Sequence, residues 1–152
     1  MKEFPGRLSH KIPGWVKRGS VYHIRIRTEL SSPRSLIHPP WGTALLDSAL
    51  FYHQRGRWYC RLFLLMPDHL HALLAFPPDK RMSDIIGTWK GFQAKQHRIQ
   101  WQDNYFDHRI RNAPGLAEKY AYILRNPVVK GLCQCEEDWP WKWQSAEPLT
   151  PR

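Results

Sequence analysis

At 152 residues the chain is long enough for one domain with a real core and too short for two, and 42% of it is hydrophobic. Its 23 Lys and Arg against 13 Asp and Glu leave a net charge of +10 with histidine neutral, so a polyanion is the expected partner. No apolar run approaches the ~20 residues of a spanning helix and no basic amphipathic helix stands out, which disfavours a membrane and favours nucleic acid.

Residues 1–19 mix Pro5, Pro13, Gly6, Gly14 and Gly19 with basic residues and read as an N-terminal arm that orders on contact. Ser20–Thr28 alternates like a first strand whose polar face carries His23, Arg25 and Arg27. After a proline-bearing loop over 31–40, Thr43–Gln54 places Leu45, Leu46, Ala49 and Leu50 at helical spacing, and Gly56 ends it. Trp58–Met66 and His69–Phe76 are apolar runs parted by Pro67-Asp68, the pattern of a central antiparallel hairpin buried on both faces. Ser83 is a candidate cap for a helix over Asp84–Arg98, which keeps Ile85, Ile86, Trp89 and Phe92 together and offers Lys90, Gln93, Lys95 and His97 on its other side. Tyr105–Ile110 is a short strand, and Pro114 opens a helix that reaches Asn126 before Pro127 stops or restarts it. A tail over 134–152 carries Trp139, Trp141 and Trp143, which must pack on the body or stack on a ligand. The order β α β β α β α predicts an α+β fold, a ferredoxin-like antiparallel sheet with helices packed on it.

Cys60, Cys133 and Cys135 form an odd set without a CxxC pair, and Met1–Gly6 lacks an apolar leader core, so a cytoplasmic protein is expected. Cys133-x-Cys135 alone is weak evidence for a metal.

His69-Leu70-His71 is the most informative triplet. On a strand, a period of two puts both imidazoles on one face with Cβ atoms about 7 Å apart, close enough to converge on one divalent ion. Two structural histidines with satisfied hydrogen bonds are the plainer alternative. On the last main helix Tyr122 and Asn126 stand at i and i+4, so a phenol and an amide oxygen share a face. If that face meets the histidines, the site holds two nitrogen ligands, an oxygen ligand and a nucleophile suited to phosphate chemistry. Tyr120 lies ~200° round the helix from Tyr122 and cannot share its face.

Met66-Pro67-Asp68-His69-Leu70-His71 resembles the HUH motif (His, hydrophobic, His) of single-tyrosine transposases. The stretch Tyr122-Ile123-Leu124-Arg125-Asn126-Pro127-Val128-Val129-Lys130-Gly131 resembles the Y-I-x-x-N-P-V-x-x-G segment of their REP-associated branch, the REP-associated tyrosine transposases. Tyr105–Asn112 and Asp138-Trp139-Pro140-Trp141 resemble two further pieces of that family, in the family's order, so the resemblance covers roughly 20–145. It implies that 20–133 is a single-tyrosine HUH transposase domain of ferredoxin-like fold, acting as an endonuclease and strand transferase on single-stranded DNA hairpins with palindromic stems. It further implies Mg²⁺ or Mn²⁺ as cofactor and a nucleoid-associated protein. His69 and His71 match the metal-binding histidines and Tyr122 the nucleophile that becomes joined to a 5′ phosphate. Asn126 matches a third-ligand position, with capping of the helix before Pro127 as its alternative. Where a basic step is common in the family after Asn-Pro, this chain has Val128-Val129-Lys130.

The candidates for DNA contact are Lys17, Arg18, Arg25, Arg27, Lys90, Lys95, Arg98, Arg109 and Arg111. Monomer and homodimer both stay open. The rival readings are a catalytically idle DNA- or RNA-binding module of the same fold and a metal-dependent nuclease that uses water. The charge makes a first prediction: affinity for a DNA hairpin falls steeply with salt, because each neutralised phosphate releases condensed counterions. Fluorescence anisotropy over a salt series measures it, and an affinity flat up to physiological salt contradicts an electrostatic groove.

Overall fold

The computed structural model describes residues 12–30 and 34–146. The alternating segment expected near Tyr22 forms β1 (Val21–Arg27), and the two apolar runs form β2 (Tyr59–Leu65) and β3 (His69–Ala75). β3 is the central strand, paired antiparallel to β1 on one side and to β2 on the other, and is buried along its whole length because both faces of the sheet are covered there. β4 (Phe106–Ile110) adds to the free edge of β1, and the sheet order β4-β1-β3-β2 is that of a ferredoxin-like fold, as expected. A fifth strand, β5 (Lys142–Gln144), closes the outer edge of β2. Three residues carry too little alternation to announce a strand, so the sequence showed this segment only as a tryptophan-rich tail.

The two faces of the sheet are covered by different helices. Ile24, Ile26, Phe63, Leu65, Leu70, Ala72 and Leu74 pack with α2 (Trp41–Gln54) and α3 (Met82–His97) around the fully buried Trp58 and Trp89. Leu62, Leu64 and Leu73 face the opposite way and pack with α4 (Ala113–Val129) through Leu116 and Ile123. A bulge between Cys60 and Leu62 makes this division possible on β2. The extra residue puts Cys60 and Leu62, two apart in sequence, into different layers.

Helix boundaries depart from the sequence expectation for local reasons. α2 begins at Trp41, earlier than periodicity suggested, because Trp41 and Gly42 are themselves buried; a Cβ on Gly42 would run into the Trp141 ring. α3 begins at Met82 with Arg81 at its cap, so Ser83 lies inside the first turn and caps nothing. It ends at His97, and Arg98 takes a left-handed conformation, φ 58°. α4 starts as expected, with the Asn112 side chain accepting from the Gly115 N–H at 2.7 Å. It then runs through Pro127 to Val129, with the proline confined to its last turn. The stop comes at Gly131, φ 72°, where Gly131 N–H donates to Val128 O and Leu132 N–H to Pro127 O, both at 2.9 Å.

Three expectations need correction. Within 1–19, a helix α1 (Gly14–Arg18) is already built, with Val16 buried against Tyr59 and Ala75; residues 1–11 and the side chains of Lys17 and Arg18 lie outside the described residues. Lys90, expected to face DNA, is buried, and its ammonium donates to the carbonyls of Gln102, Asp103 and Asn104 at 2.7, 3.3 and 3.4 Å. Burial lowers its pKa, and the three carbonyls occupy its donors. Gln93, read as part of the same open face, is fully buried and donates to Ser48 Oγ.

All three tail tryptophans pack on the body. Trp139 is buried with its indole N–H on Leu65 O at 2.9 Å, Trp141 fills the space over Gly42, and Trp143 meets the His53 ring at 5.2 Å. Among the described residues no helix is long and apolar enough to cross a membrane. Replacing Trp139 with alanine removes a buried indole and orphans a carbonyl, for an expected cost of about 3–5 kcal/mol. A urea titration reads this as a lowered midpoint; an unchanged midpoint contradicts the structural role of the tail.

Candidate active site

The site grows out of strand register. β1 and β3 pair with Arg27 opposite His69 and Arg25 opposite His71, and His23, two residues further along β1, lies diagonal to His71. The period of two then turns all five side chains toward the face that α4 covers. α4 brings Tyr122 and Asn126 to the same place, one turn apart, and the cavity between helix and sheet, about 450 Å³, is lined by Arg25, Arg27, His69, His71, Tyr122, Asn126 and Lys130. The residues expected to form one site are therefore brought together.

The His69 and His71 Nε2 atoms stand 3.2 Å apart. Two unprotonated ring nitrogens at that distance repel unless a proton or a cation lies between them. The spacing suits a cation: two nitrogens each ~2.1 Å from one ion, at a right angle, lie ~3.0 Å apart. Asn126, buried at 7% exposure, places its amide Nδ2 2.9 Å from His71 Nε2, and a half-turn of the amide presents Oδ1 in its place. Its side chain thus reaches the imidazoles and does not cap α4. Among the described residues no group of three His, Cys, Asp or Glu side chains is placed to hold a metal, and the polar side chain beside these two imidazoles is the Asn126 amide.

Each imidazole is held on its other nitrogen. His69 Nδ1 lies 2.7 Å from Asp68 Oδ1; an ionised carboxylate only accepts, so the ring proton sits on Nδ1 and the Nε2 lone pair faces the site. That bond holds the Asp68 carboxyl below its usual range, while burial lowers His69 against the opposing pull of Asp68. His71 Nδ1 lies 2.8 Å from His23 Nε2, with the two rings stacked at 5.1 Å between centroids. Burial pushes His71 down to about 2 and His23 to about 4, helped by neighbouring imidazoles and by Lys119, Arg25 and Arg27. Both rings are therefore neutral at pH 7, the form a metal ligand needs.

Tyr122 is 56% exposed, its ring edge-on to His71 at 6.3 Å, with the Lys119 ammonium 5.2 Å from the ring centre. Its hydroxyl is open to a substrate. Tyr120, by contrast, faces the α4 core cluster and its hydroxyl accepts from Gln144 Nε2 at 2.9 Å; burial raises its pKa. Arg25 lies 4.8 Å from the centre of the Phe106 ring, which steadies it beside the imidazoles. Lys95 and Arg98 belong to the α3 side of the sheet, across from the histidines. Arg109, on the edge strand, donates from Nε to Ser20 Oγ, and Arg111 is exposed ahead of α4. Neither lines the cavity.

Four contributors were missed in the sequence: His23, Asp68, Lys119 and Lys130. Asp68 adjoins His69 and Lys119 stands at i−3 from Tyr122, so both carried a local signal. His23 carried only its alternation with Arg25 and Arg27, and its partner is 48 residues away.

No protein-family model matches the chain. It is 26% identical over 103 residues to a REP-associated tyrosine transposase of Escherichia coli K12, a match over 64% of this chain and 61% of the relative. It is 28% identical over 94 residues to a putative REP-associated tyrosine transposase of Haemophilus influenzae, over 51% of this chain and 53% of that protein. The matches thus span less than two thirds of these relatives' lengths. A solved structure of a REP-associated tyrosine transposase bound to a REP hairpin superposes with a TM-score of 0.70 at 19% identity, covering 100% of this chain and 95% of that one. That likeness fixes the α+β fold with its open antiparallel sheet.

The buried neutral imidazoles have a consequence for stability. His23 and His53, both lowered to about 4 by burial, and His71, lower still, take up protons in the unfolded chain near pH 6.5 but not in the fold. Unfolding therefore gains protons as pH falls, and stability present above pH 6.5 is lost from about 6.5 down to about 4 for His23 and His53 and further down for His71. Urea midpoints of the chelator-treated protein at pH 7.5, 5.5 and 4.5 should fall in that order; a constant midpoint contradicts neutral burial.

Proposed function

We propose that this chain, a relative of the REP-associated tyrosine transposases, is a DNA endonuclease and strand transferase that acts on single-stranded hairpins with palindromic stems. The observation that carries the proposal is the convergence of His69, His71 and Asn126 beneath an exposed Tyr122. The relatives' name and the hairpin bound by the structural neighbour support the substrate class.

In this reading His69 Nε2, His71 Nε2 and the Asn126 amide oxygen hold a Mg²⁺ or Mn²⁺ ion. Mn²⁺ suits the two imidazoles better than Mg²⁺, which prefers oxygen. When bound, the ion polarises a non-bridging phosphate oxygen and offsets charge developing on the phosphorus. Arg25 and Arg27, opposite the two histidines, bind the same phosphate or its neighbour and fix its orientation. Lys130, on the cavity rim, is placed for the next phosphate along the strand.

The Tyr122 hydroxyl oxygen attacks phosphorus, losing its proton as the Tyr–O–P bond forms. The P–O3′ bond breaks and the departing 3′ oxygen takes a proton to leave as a free hydroxyl. One phosphoester replaces another, so the energy of the cut strand is kept for rejoining, when a 3′ hydroxyl attacks the phosphotyrosine and frees the phenol. Tyr122 is suited to this because it is 56% exposed, whereas the Tyr120 hydroxyl is tied to Gln144.

Incubation with hairpin DNA and Mn²⁺, followed by a denaturing gel, tests the proposal. The wild type and Tyr120→Phe should form a covalent adduct, Tyr122→Phe should form none, and His69→Ala or His71→Ala should cut at least ~100-fold more slowly while keeping most hairpin binding. An adduct mapped by peptide analysis to any residue other than Tyr122 overturns the mechanism. Cutting without an adduct points to a water nuclease, and binding without cutting to an idle module.

A further inference from the structure

His23 is the group the proposed chemistry leaves unused. It lies on β1, is 3% exposed, and places Nε2 2.8 Å from Nδ1 of His71. Its own Nδ1 is buried with no hydrogen-bond partner, and its ring abuts Phe106 edge-on at 5.6 Å. A buried histidine with one nitrogen orphaned costs stability, on the order of 1–3 kcal/mol for an unmet polar group. A core position between two strands would be filled more favourably by Leu or Phe, so the imidazole calls for a different reason.

The direction of protons supplies one. For His71 to offer a lone pair at Nε2, its single proton must sit on Nδ1, and the acceptor there is His23 Nε2. His23 Nε2 must then be unprotonated, which sends the His23 proton to Nδ1, the orphaned atom. Asn126 Nδ2 lies 2.9 Å from His71 Nε2, and an amide N–H donating there meets the same lone pair. The His23–His71 contact and the orphaned His23 Nδ1 thus fit one tautomer. Metal-binding histidines are commonly fixed by a carboxylate or carbonyl behind them, as His69 is by Asp68. Behind His71 the acceptor is an imidazole.

We infer that His23 is a positioning residue for the metal site, accepting the Nδ1 proton of His71 and so fixing the tautomer and ring angle in which His71 Nε2 meets a divalent cation. The inference rests on the metal reading of the site. A neutral acceptor differs from the carboxylate behind His69 in adding no negative charge, so His71 remains the weaker donor of the pair. The choice also fits the local charge. A carboxylate at position 23 would face Arg25, His108 and Lys119 and would be drawn into ion pairs with them, away from His71.

The test measures Mn²⁺ uptake by the full chain without DNA, from the free Mn²⁺ signal in electron paramagnetic resonance. His23→Phe keeps the ring shape and removes the acceptor; His23→Gln keeps an acceptor oxygen. His23→Phe should weaken Mn²⁺ about 10–100-fold and His23→Gln should recover most of that loss. If His71→Ala abolishes uptake while His23→Phe binds as the wild type does, the positioning role is wrong and the metal reading stands. If His71→Ala binds as well as the wild type, the metal reading fails and the inference falls with it. A measurement without substitutions covers the case in which His23→Phe does not fold. In wild-type protein at a Mg²⁺ concentration that displaces Mn²⁺, imidazole ¹⁵N shifts should place the His71 proton on Nδ1 and the His23 proton on Nδ1; a proton on Nε2 of either ring overturns the inference.

Discussion

The antiparallel pairing of β1 with β3 is the constraint on which the site depends. Its register sets Arg27 against His69 and Arg25 against His71, and brings His23 within hydrogen-bond reach of His71. A slip by one residue would turn His69 and His71 into the layer filled by α2 and α3 and expose Leu70 and Ala72 in their place. The apolar residues on the other face of β3 therefore hold the chemistry in place: Leu70, Ala72 and Leu74 have no solvent exposure to speak of and no second place to go. Stability and function here share one register.

α4 completes what the sheet begins. Its core side, Leu116 and Ile123, rests on the sheet, and that contact fixes the helix rotation at which Asn126 points inward and Tyr122 stays open to solvent. The Asn-Pro and glycine of the same segment have distinct tasks. Asn126 reaches His71, Pro127 is accommodated in the last turn, and Gly131 ends the helix with the left-handed residue that two backbone hydrogen bonds require. The chain then turns back so that Lys130 and Leu132 close one side of the cavity. The motif is thus both a helix stop and part of the site's wall.

Much of this was legible in the sequence because it is local. Alternation in SVYHIRIRT, the two apolar runs around Pro67-Asp68, and the i, i+4 relation of Tyr122 to Asn126 can each be read within one short stretch of chain. What escaped depends on distant partners. Helical spacing on α3 marked Lys90 and Gln93 as polar positions, but only the loop at 102–104 and Ser48 explain why both are inside. β5 exists because β2 has a free edge, and the tail has the length to reach it. His23 becomes more than one polar residue on an alternating strand only when β3 is laid beside it. The basic residues divide the same way: Arg25 and Arg27 reach the cavity through strand register, whereas Lys95 and Arg98 belong to the layer behind the sheet.

The central claim is that His69, His71 and Asn126 hold one divalent cation under the Tyr122 hydroxyl. Anomalous diffraction at the manganese edge, from crystals of the protein with Mn²⁺ and a DNA hairpin whose strand cannot be cut, addresses it directly. The account predicts a single strong peak about 2.2 Å from both Nε2 atoms, with the Asn126 amide turned to present its oxygen. A peak elsewhere in the cavity, or none at these imidazoles with Mn²⁺ in excess, would contradict it.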